Sequence, residues 1–529
     1  MGHIKSLRII GLKKFADFHI SFNEKTNIFV GDNEAGKSTI IEAIDILINK
    51  TYENFDKYIL GELFNSNSIA KFKATPSFEN LPKIVICGEF ELKNTDRNSK
   101  DYYGINWYGS DKTTSKYGIL FECLVENDMK ADVADIISKK VLPFEYYTLR
   151  WITFKNEPYN KLKKAISFVP IDASNNTSFN SLDFYSKRLF IKKHEEKMTL
   201  VKTDFRGFLD ESFSNLKLEQ LDKSKKFGLN HKKLILENII GILDDEILIE
   251  NRGKGLEKII KTELSIENKS DNDVIAIEEP ENNLSHINLR KMIHSIQTKC
   301  IDKQLIITTH SSLIVTGLSL KNVIWISENT KKSLEGLESD TSDYFMKLEN
   351  DNLLRFILAN KVILVEGATE QLIVPYLFEM KYKSVNRTLE SEGIDVISCN
   401  GLSYKRYLEI AGILNKKVAV LTDNDGSDVK ITEITDYNES NTITKIFSSS
   451  NLEEYTWEVC LKKENEALID ELVVIQLGAK YKVKGKELED KKLAFMLLNK
   501  VDISMKLIDS HKQINLPQHL KELFEWIKE

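Results

Sequence analysis

Two groups of residues in this chain have the types and spacing to do chemistry on phosphates. The first is Gly31-Asp32-Asn33-Glu34-Ala35-Gly36-Lys37-Ser38, a full G-x-x-x-x-G-K-[ST] loop. Such a loop turns successive backbone N–H groups toward phosphate oxygens, and a helix starting near Lys37 adds its positive dipole end. Lys37 is expected to reach the β- and γ-phosphates and Ser38 to hold Mg²⁺, with Asn33, Gly36 and Thr39 completing the cradle. The second group lies about 330 residues on. It comprises Val365-Glu366-Gly367-Ala368-Thr369-Glu370 and Leu421-Thr422-Asp423-Asn424-Asp425-Gly426. Glu370 falls one helical turn after Glu366, so both can face one site. Asp423 and Asp425 are two apart and share a face if the strand before them continues. Four carboxylates at two strand ends repel one another unless cations intervene. Oxygen-only sites of this kind suit Mg²⁺ or Mn²⁺, and two such metals can serve both oxygens of a phosphodiester displacement.

Weaker signals accompany each group. Val274-Ile275-Ala276-Ile277-Glu278-Glu279 is a buried-strand pattern delivering two carboxylates at its end. Glu278 suits the metal or its water shell, and Glu279 suits an attacking water. Ile306-Ile307-Thr308-Thr309-His310 ends the next apolar run about thirty residues later, which makes His310 a γ-phosphate sensor in this context. Asn251-Arg252-Gly253-Lys254-Gly255 places two glycines before a helix, a possible second anion-binding N-terminus. Asn451-Leu452-Glu453-Glu454 offers another carboxylate, and Lys491 or Lys492 a cation for developing negative charge.

The elements that must position these residues follow from apolar periodicity. Strands are predicted at 4–10, 17–22, 27–30 and 83–92, and a helix over 38–49. Residues 94–118 are polar and predict a hairpin or loop. From 155 to 240 the pattern turns helical and charged, which predicts an inserted arm or dimerisation element. Strands return at 273–277, 304–308 and 322–326, with a helix near 284–300. Residues 329–350 are mostly polar and predict an interdomain linker. A second α/β unit is predicted from 361, with strands at 361–365, 394–398 and 417–421 and helices at 369–381 and 402–415. The expected domains are thus 1–154 and 241–350 for the two parts of a nucleotide-binding unit, 155–240 for the insertion, and 351–529 for the acidic unit.

Composition sets the outer limits. The 529 residues are 42% hydrophobic and 29% charged, as in a soluble globular chain. A net charge of −6 gives no global support for nucleic-acid binding, so such contacts need local basic patches. Lys223 to Lys233 and Lys480 to Lys492 are two such stretches. The five cysteines form no C-x-x-C pair, which argues against structural zinc and for a reducing compartment. No apolar run reaches the length of a membrane span, so a cytoplasmic location is expected.

The glycine loop, the Glu278-Glu279 strand end, His310 and the Gly253–Gly255 turn together resemble the ABC-type ATPases of the structural-maintenance and recombination-repair lineage. That resemblance implies a signature loop at Gly253 to Gly255 acting across a head-to-head homodimer, a catalytic Glu279 and a switch His310. Glu278 departs from the aspartate most members have there. Glu-Gly after one strand and Asp-x-Asp after another, with Asn400-Gly401 between, resembles the Toprim domain. The order of the two resembles the OLD (overcoming lysogenization defect) family of nucleases, in which a Leu-Glu glutamate and a C-terminal lysine complete the site. By motif these are Glu453 and Lys492. The resemblance implies an α/β chain with an N-terminal ABC-type ATPase domain, an inserted helical dimerisation region and a C-terminal Toprim domain. It implies an ATP-regulated, metal-dependent DNA endonuclease or nickase in bacterial anti-phage defence, with ATP and Mg²⁺ as cofactors and Mn²⁺ as the alternative at the Toprim site. DNA, a second copy of the chain and a defence partner protein or RNA encoded nearby are the implied partners, with no membrane. Two rivals stay open: a Toprim strand-passage or primase-like enzyme, and a non-catalytic DNA-binding or assembly ATPase.

Overall fold

The computed structural model describes the chain except residues 1, 54, 93–98, 110, 173–189, 192, 217, 219–226, 231–234, 237–238, 268–272, 328–329, 349–350, 402–403 and 478–485. Much of the expected 155–240 insertion and parts of both basic stretches lie outside the described residues. Internal contacts divide the chain into two units. The first is Met1–Phe29 with Glu34–His310, and the second is Val30–Asn33 with Ser311–Glu529. The boundary expected at 350 therefore lies at 310/311 by contacts.

In the first unit β1 (His3–Leu12) and β2 (Phe15–Ser21) form an antiparallel pair, and β3 (Thr26–Val30) runs into the glycine loop. β4 (Ile84–Glu91), β5 (Tyr103–Ile105), β6 (Ser115–Val125) and β7 (Tyr147–Thr153) extend the antiparallel sheet in the order β2-β1-β4-β6-β5, with β7 also on β6. The expected 94–118 loop is thus partly strand. β8 (Phe168–Asp172) pairs parallel with a later strand, so the insertion does not begin at 155. Tyr159 explains part of this: it is buried and donates its hydroxyl to the Ile48 carbonyl at 3.0 Å. A short hairpin, β9 (Leu243–Asp244) and β10 (Ile247–Leu248), precedes β11 (Val274–Glu278) and β12 (Gln304–Thr308). β8, β11, β12 and β3 are parallel neighbours, with Glu278 opposite Thr308 and Thr308 opposite Phe29. This register brings the ends of β11 and β12 level with the start of the glycine loop. The helix Lys37–Asn49 buries Ile40, Ile41, Ala43, Ile44, Ile46, Leu47 and Ile48. Each fully buried isoleucine contributes about 1.5–3 kcal/mol, which anchors the helix that carries Lys37. The helix Met198–Asn215 contains no buried residue.

The second unit opens with an antiparallel pair, β13 (Val323–Ser327) and β14 (Thr330–Ser333). Its main sheet is fully parallel, in the order β16-β15-β17-β18. The strands are β15 (Lys361–Val365), β16 (Ile394–Ser398), β17 (Lys417–Leu421) and β18 (Thr444–Phe447). β15 and β17 each bury four successive residues, the mark of a sheet covered on both faces. Val365 lies opposite Leu421, so the residues that follow, Glu366 and Thr422, emerge side by side.

The expected 329–350 linker is an ordered part of this unit, apart from residues 329, 349 and 350, which lie outside the described residues. Ser339–Leu348 is a helix, and Leu334, Leu337 and Phe345 are buried. The Phe345 ring meets Tyr407 edge-on at 4.9 Å and 73°, and Arg406 lies over Tyr344 at 4.6 Å. The few apolar residues of the segment are the ones that pack. Among the described residues, no helix is long and apolar enough to cross a membrane.

Phe345→Ala should lower the stability of the full-length chain by about 3–5 kcal/mol, the usual effect of emptying a buried phenylalanine site. Denaturant unfolding followed by near-ultraviolet circular dichroism measures this. A neutral effect would return the segment to the status of a linker.

Candidate functional site

In the first unit the glycine loop is shaped by a steric constraint. Gly36 has φ +99°, and a Cβ there would stand 2.4 Å from the Phe15 ring. Only glycine fits on both counts. Lys37, 6% exposed, extends its Nζ to within 3.0 Å of His310 Nε2. Ser38 is exposed and Thr39 half-buried, while Asn33 is exposed in the short stretch grouped with the second unit. The position of His310 depends on a carboxylate that sequence reasoning passed over. Glu281 accepts from the His310 backbone N–H at 2.5 Å and from the Thr309 hydroxyl at 3.0 Å. Glu279 has φ +40° and accepts from Asn282 Nδ2 at 2.5 Å, while its own N–H donates to Thr308. Glu278 is half-buried at the end of β11. The structure thus places Lys37, Glu278, Glu279 and His310 at or just beyond the C-terminal ends of β3, β11 and β12. Gly253 has φ +97° just before the helix Lys254–Glu267, and Gly255 packs so closely that a Cβ would meet the Asn283 carbonyl oxygen at 2.3 Å. Gly255 therefore sits against the turn that follows Glu279, whereas a Cβ at Gly253 would meet nothing within 4 Å among the described residues.

In the second unit the acidic residues gather at the C-terminal ends of β15 and β17, where open parallel sheets place their ligands. Glu366 Oε1 accepts from the Thr422 hydroxyl and from the Asp423 N–H, the latter at 3.2 Å. The Asn400-Gly401 turn reaches the same place: Gly401 has φ +109° and donates its N–H to the Glu366 carbonyl. Asp423 points inward and accepts from the Trp457 N–H at 2.7 Å. Burial, reinforced by the charges of Glu366, Glu458 and Glu370, pushes its carboxyl up to about 7. Burial likewise raises Glu370, which accepts from the Gly367 N–H and so also caps its own helix, Ala368–Tyr382.

Three expectations need correction here. Asp425 does not share a face with Asp423, because β17 ends at Leu421 and Asp425 turns into the left-handed region at φ +54°. Its side chain is 62% exposed and pairs with Lys430 at 2.8 Å, and that lysine stands 4.0 Å from Glu366. Glu453 is exposed, and its N–H is bound by Asn451 Oδ1. The further carboxylate acting on Asp423 is Glu458, 4% exposed, in the first turn of the helix Trp457–Glu464. Lys492 is buried and pairs with Asp470 at 2.7 Å, a link between two helices. The side chain of Lys491 lies outside the described residues. The lysine that meets the acidic cluster is Lys500, 2.9 Å from Glu458 Oε1. Burial opposes its charge, but Glu458, Asp423 and Glu370 raise it overall. Asn424, fully buried, ties the acidic turn to the neighbouring loop through the Ser449 and Asn451 carbonyls. Adjacency to Asp423 was the only sequence signal for Asn424, and Glu458 and Lys500 had none.

The donors of this cluster are all carboxylate oxygens, and Glu458 Oε2 is buried without a hydrogen-bond partner. That chemistry fits a hard divalent cation. Among the described residues, no group of three or more His, Cys, Asp or Glu side chains is arranged to hold a metal ion.

Residues 3–204 match the AAA ATPase domain model, and residues 357–425 match the TOPRIM domain of overcoming lysogenization defect protein-like proteins. The chain joins an AAA-type ATPase domain to an OLD-like Toprim domain. Endonuclease GajA of Bacillus cereus (strain HuB5-5) is 23% identical over 547 residues, covering 80% of this chain and 76% of that protein. Septu protein PtuA of Bacillus thuringiensis is 22% identical over 360 residues, covering 66% of this chain and 79% of that protein. Among solved structures, the SMC head domain from Thermotoga maritima aligns with a TM-score of 0.29 at 12% identity, over 62% of this chain and 97% of that one. The recombination mediator protein RecF with ATP aligns with a TM-score of 0.32 at 12% identity, over 63% and 99%.

The raised Asp423 gives the Toprim domain a pH signature. Its folded value, about 7, exceeds the ordinary 3.8, so the folded state holds the proton more tightly than the unfolded chain. Stability is then lost as pH rises from about 4 to about 7. Without divalent metal, Asp423→Asn should melt higher than the unsubstituted protein at pH 8. The gain should be at least about 2–4 °C, equivalent to roughly 1 kcal/mol in a domain of this size. The difference should fade toward pH 4. A difference that is flat across that range in thermal scans would remove Asp423 from the centre of the cluster.

Proposed function

We propose that this chain is an ATP-regulated, divalent-metal-dependent DNA endonuclease or nickase of the OLD type, acting in anti-phage defence. The observation that carries the reading is the convergence of Glu366, Glu370 and Glu458 on the buried Asp423, at the strand ends of an OLD-like Toprim domain. The match to an endonuclease over most of both chains supports it. The defence role rests on the family resemblance.

Glu366 and Asp423 would hold the cations, Asp425 would join them only on releasing Lys430, Glu370 and Glu458 would deepen the negative field, and Glu453 would have at most a peripheral place. When bound, Mg²⁺ or Mn²⁺ supplies an activated water and offsets charge on the leaving oxygen. Lys430 and Lys500 hold positive charge beside the carboxylates and are placed to steady phosphate oxygens. Thr422 and the Asp423 N–H orient Glu366, and the Trp457 N–H orients Asp423. Burial and like charge raise Asp423, so loading the site would release a proton and would strengthen as pH rises.

In the ATPase domain Lys37 and Ser38 would bind the phosphates and their Mg²⁺. Glu278 would support that metal, and Glu279 would orient the attacking water. His310, clamped by Glu281, would sense the γ-phosphate, and Lys37 must leave its contact with His310 to reach the nucleotide. Gly253 and Gly255 would complete the partner's site in a homodimer.

The test is cleavage of supercoiled plasmid with Mg²⁺ and with Mn²⁺, each with and without ATP. Glu366→Ala and Asp423→Ala should abolish cleavage while ATP hydrolysis persists, and Lys37→Ala should abolish hydrolysis. Lys500→Gln and Glu458→Gln should each slow cleavage by about 10–100-fold, as groups that support metal ligands do. Lys492→Ala should lower stability with less effect on cleavage, since its partner is Asp470. A covalent protein–DNA adduct would favour the strand-passage enzyme. Intact plasmid under every condition would favour the assembly ATPase.

A further inference from the structure

Beside the acidic turn a cavity of about 450 Å³ opens between the helices Tyr404–Leu414 and Asp428–Ser440, above β18. Its size falls within the roughly 300–1,000 Å³ typical of small-ligand sites. Its floor is apolar: Leu408, Ile434 and Ile446 are all buried. Two aromatic rings, Tyr404 and Tyr437, border it. The Tyr437 hydroxyl lies 2.7 Å from the Thr444 hydroxyl, which fixes that ring in place.

What gives the cavity meaning is its neighbour. Lys430 lines it, and the same ammonium stands 2.8 Å from Asp425 and 4.0 Å from Glu366. The cavity is therefore one side chain away from the acidic cluster. Lys405, exposed at the border, adds a second cation. Glu433, also exposed, offers a carboxylate that can accept from an exocyclic amino group. An apolar slot with aromatic edges, one lysine at its mouth, another on the side of the acidic cluster and a phosphodiester-cleaving candidate next door matches the chemistry of a base on a single strand. Rings bind the base face, and lysines bind its phosphates.

We infer that this cavity seats one base of the DNA strand adjacent to the phosphodiester that cations at Glu366 and Asp423 would receive, with Lys430 between base and phosphate. The inference rests on the nuclease reading for the identity of the strand. It makes the cavity a determinant of which nucleotide flanks the cut.

Binding of a short single-stranded oligonucleotide to the full-length protein, without divalent metal, tests it by fluorescence anisotropy. The same oligonucleotide is then offered with one abasic residue at each position in turn. At one position the abasic residue should weaken binding by at least about fivefold, the lower end of what stacking one base contributes. Ile434→Trp, which fills the cavity, should weaken the intact strand by the same factor and erase the abasic penalty. Tyr404→Leu removes a ring without overfilling and should also reduce the penalty. Thermal scans check that each variant is folded. A flat abasic profile in the unsubstituted protein, or a penalty undiminished in both variants, overturns the inference. So does a free deoxynucleoside monophosphate that binds as tightly as the strand, which would make the cavity a mononucleotide site. Plasmid cleavage with a flat abasic profile would sink the cavity assignment and leave the nuclease reading intact. An abasic profile without any cleavage would do the reverse.

Discussion

Like charge buried at a strand end is the constraint around which the Toprim domain is organised. Asp423 lies among Glu366, Glu370 and Glu458, and each carboxylate removed from water raises the cost of ionising the next. The surrounding structure offsets this cost piecemeal. The Trp457 N–H binds Asp423, the Thr422 hydroxyl and the Asp423 N–H bind Glu366, and the Gly367 N–H binds Glu370. Lys500 and Lys430 supply opposite charge from two different helices. Helices that are far apart in sequence therefore meet at one small acidic patch. The parallel sheet beneath gives that patch a rigid base, since both faces of β15 and β17 are buried.

The ATPase domain is organised by close backbone approach instead. Gly36 lies against the Phe15 ring, and Gly255 lies against the Asn283 carbonyl. Neither site tolerates a side chain. Glu281 then pins the Thr309–His310 turn through two hydrogen bonds, which fixes where the imidazole meets Lys37. The consequence is that the end of β12 and the start of the helix after the glycine loop meet through the Lys37–His310 contact.

The two sites differ in what they require of their residues. The phosphate loop is short and local, and its geometry follows from a strand, a glycine turn and a helix in sequence. The acidic site is assembled from β15, β17 and two helices beyond residue 455, so its membership is a property of packing. This explains why the cavity beside Lys430 has no sequence signature. Tyr404 and Ile446 are about forty residues apart and meet only because two helices and β18 stack there.

The sequence by itself determined most of the parallel strands, the helices after them and the two motifs, because these depend on local periodicity and on glycine at fixed offsets. The strands expected at 273–277, 304–308, 361–365, 394–398 and 417–421 were legible as short apolar runs, whereas β8 and β18 were not read from the sequence. Tertiary structure alone decided where polar segments belong. Residues 329–350 read as a linker because they are mostly polar, yet Phe345 is fully buried against Tyr407. Tertiary structure also decided which charges meet. Asp423 and Asp425 share a face only if the strand runs on, and the left-handed turn at Asp425 separates them. Glu453 and Lys492 carry the motif, but the buried carboxylate acting on Asp423 is Glu458, and the lysine paired with it is Lys500. A carboxylate's chemistry depends on the charges within a few ångströms of it, and the fold alone sets those distances.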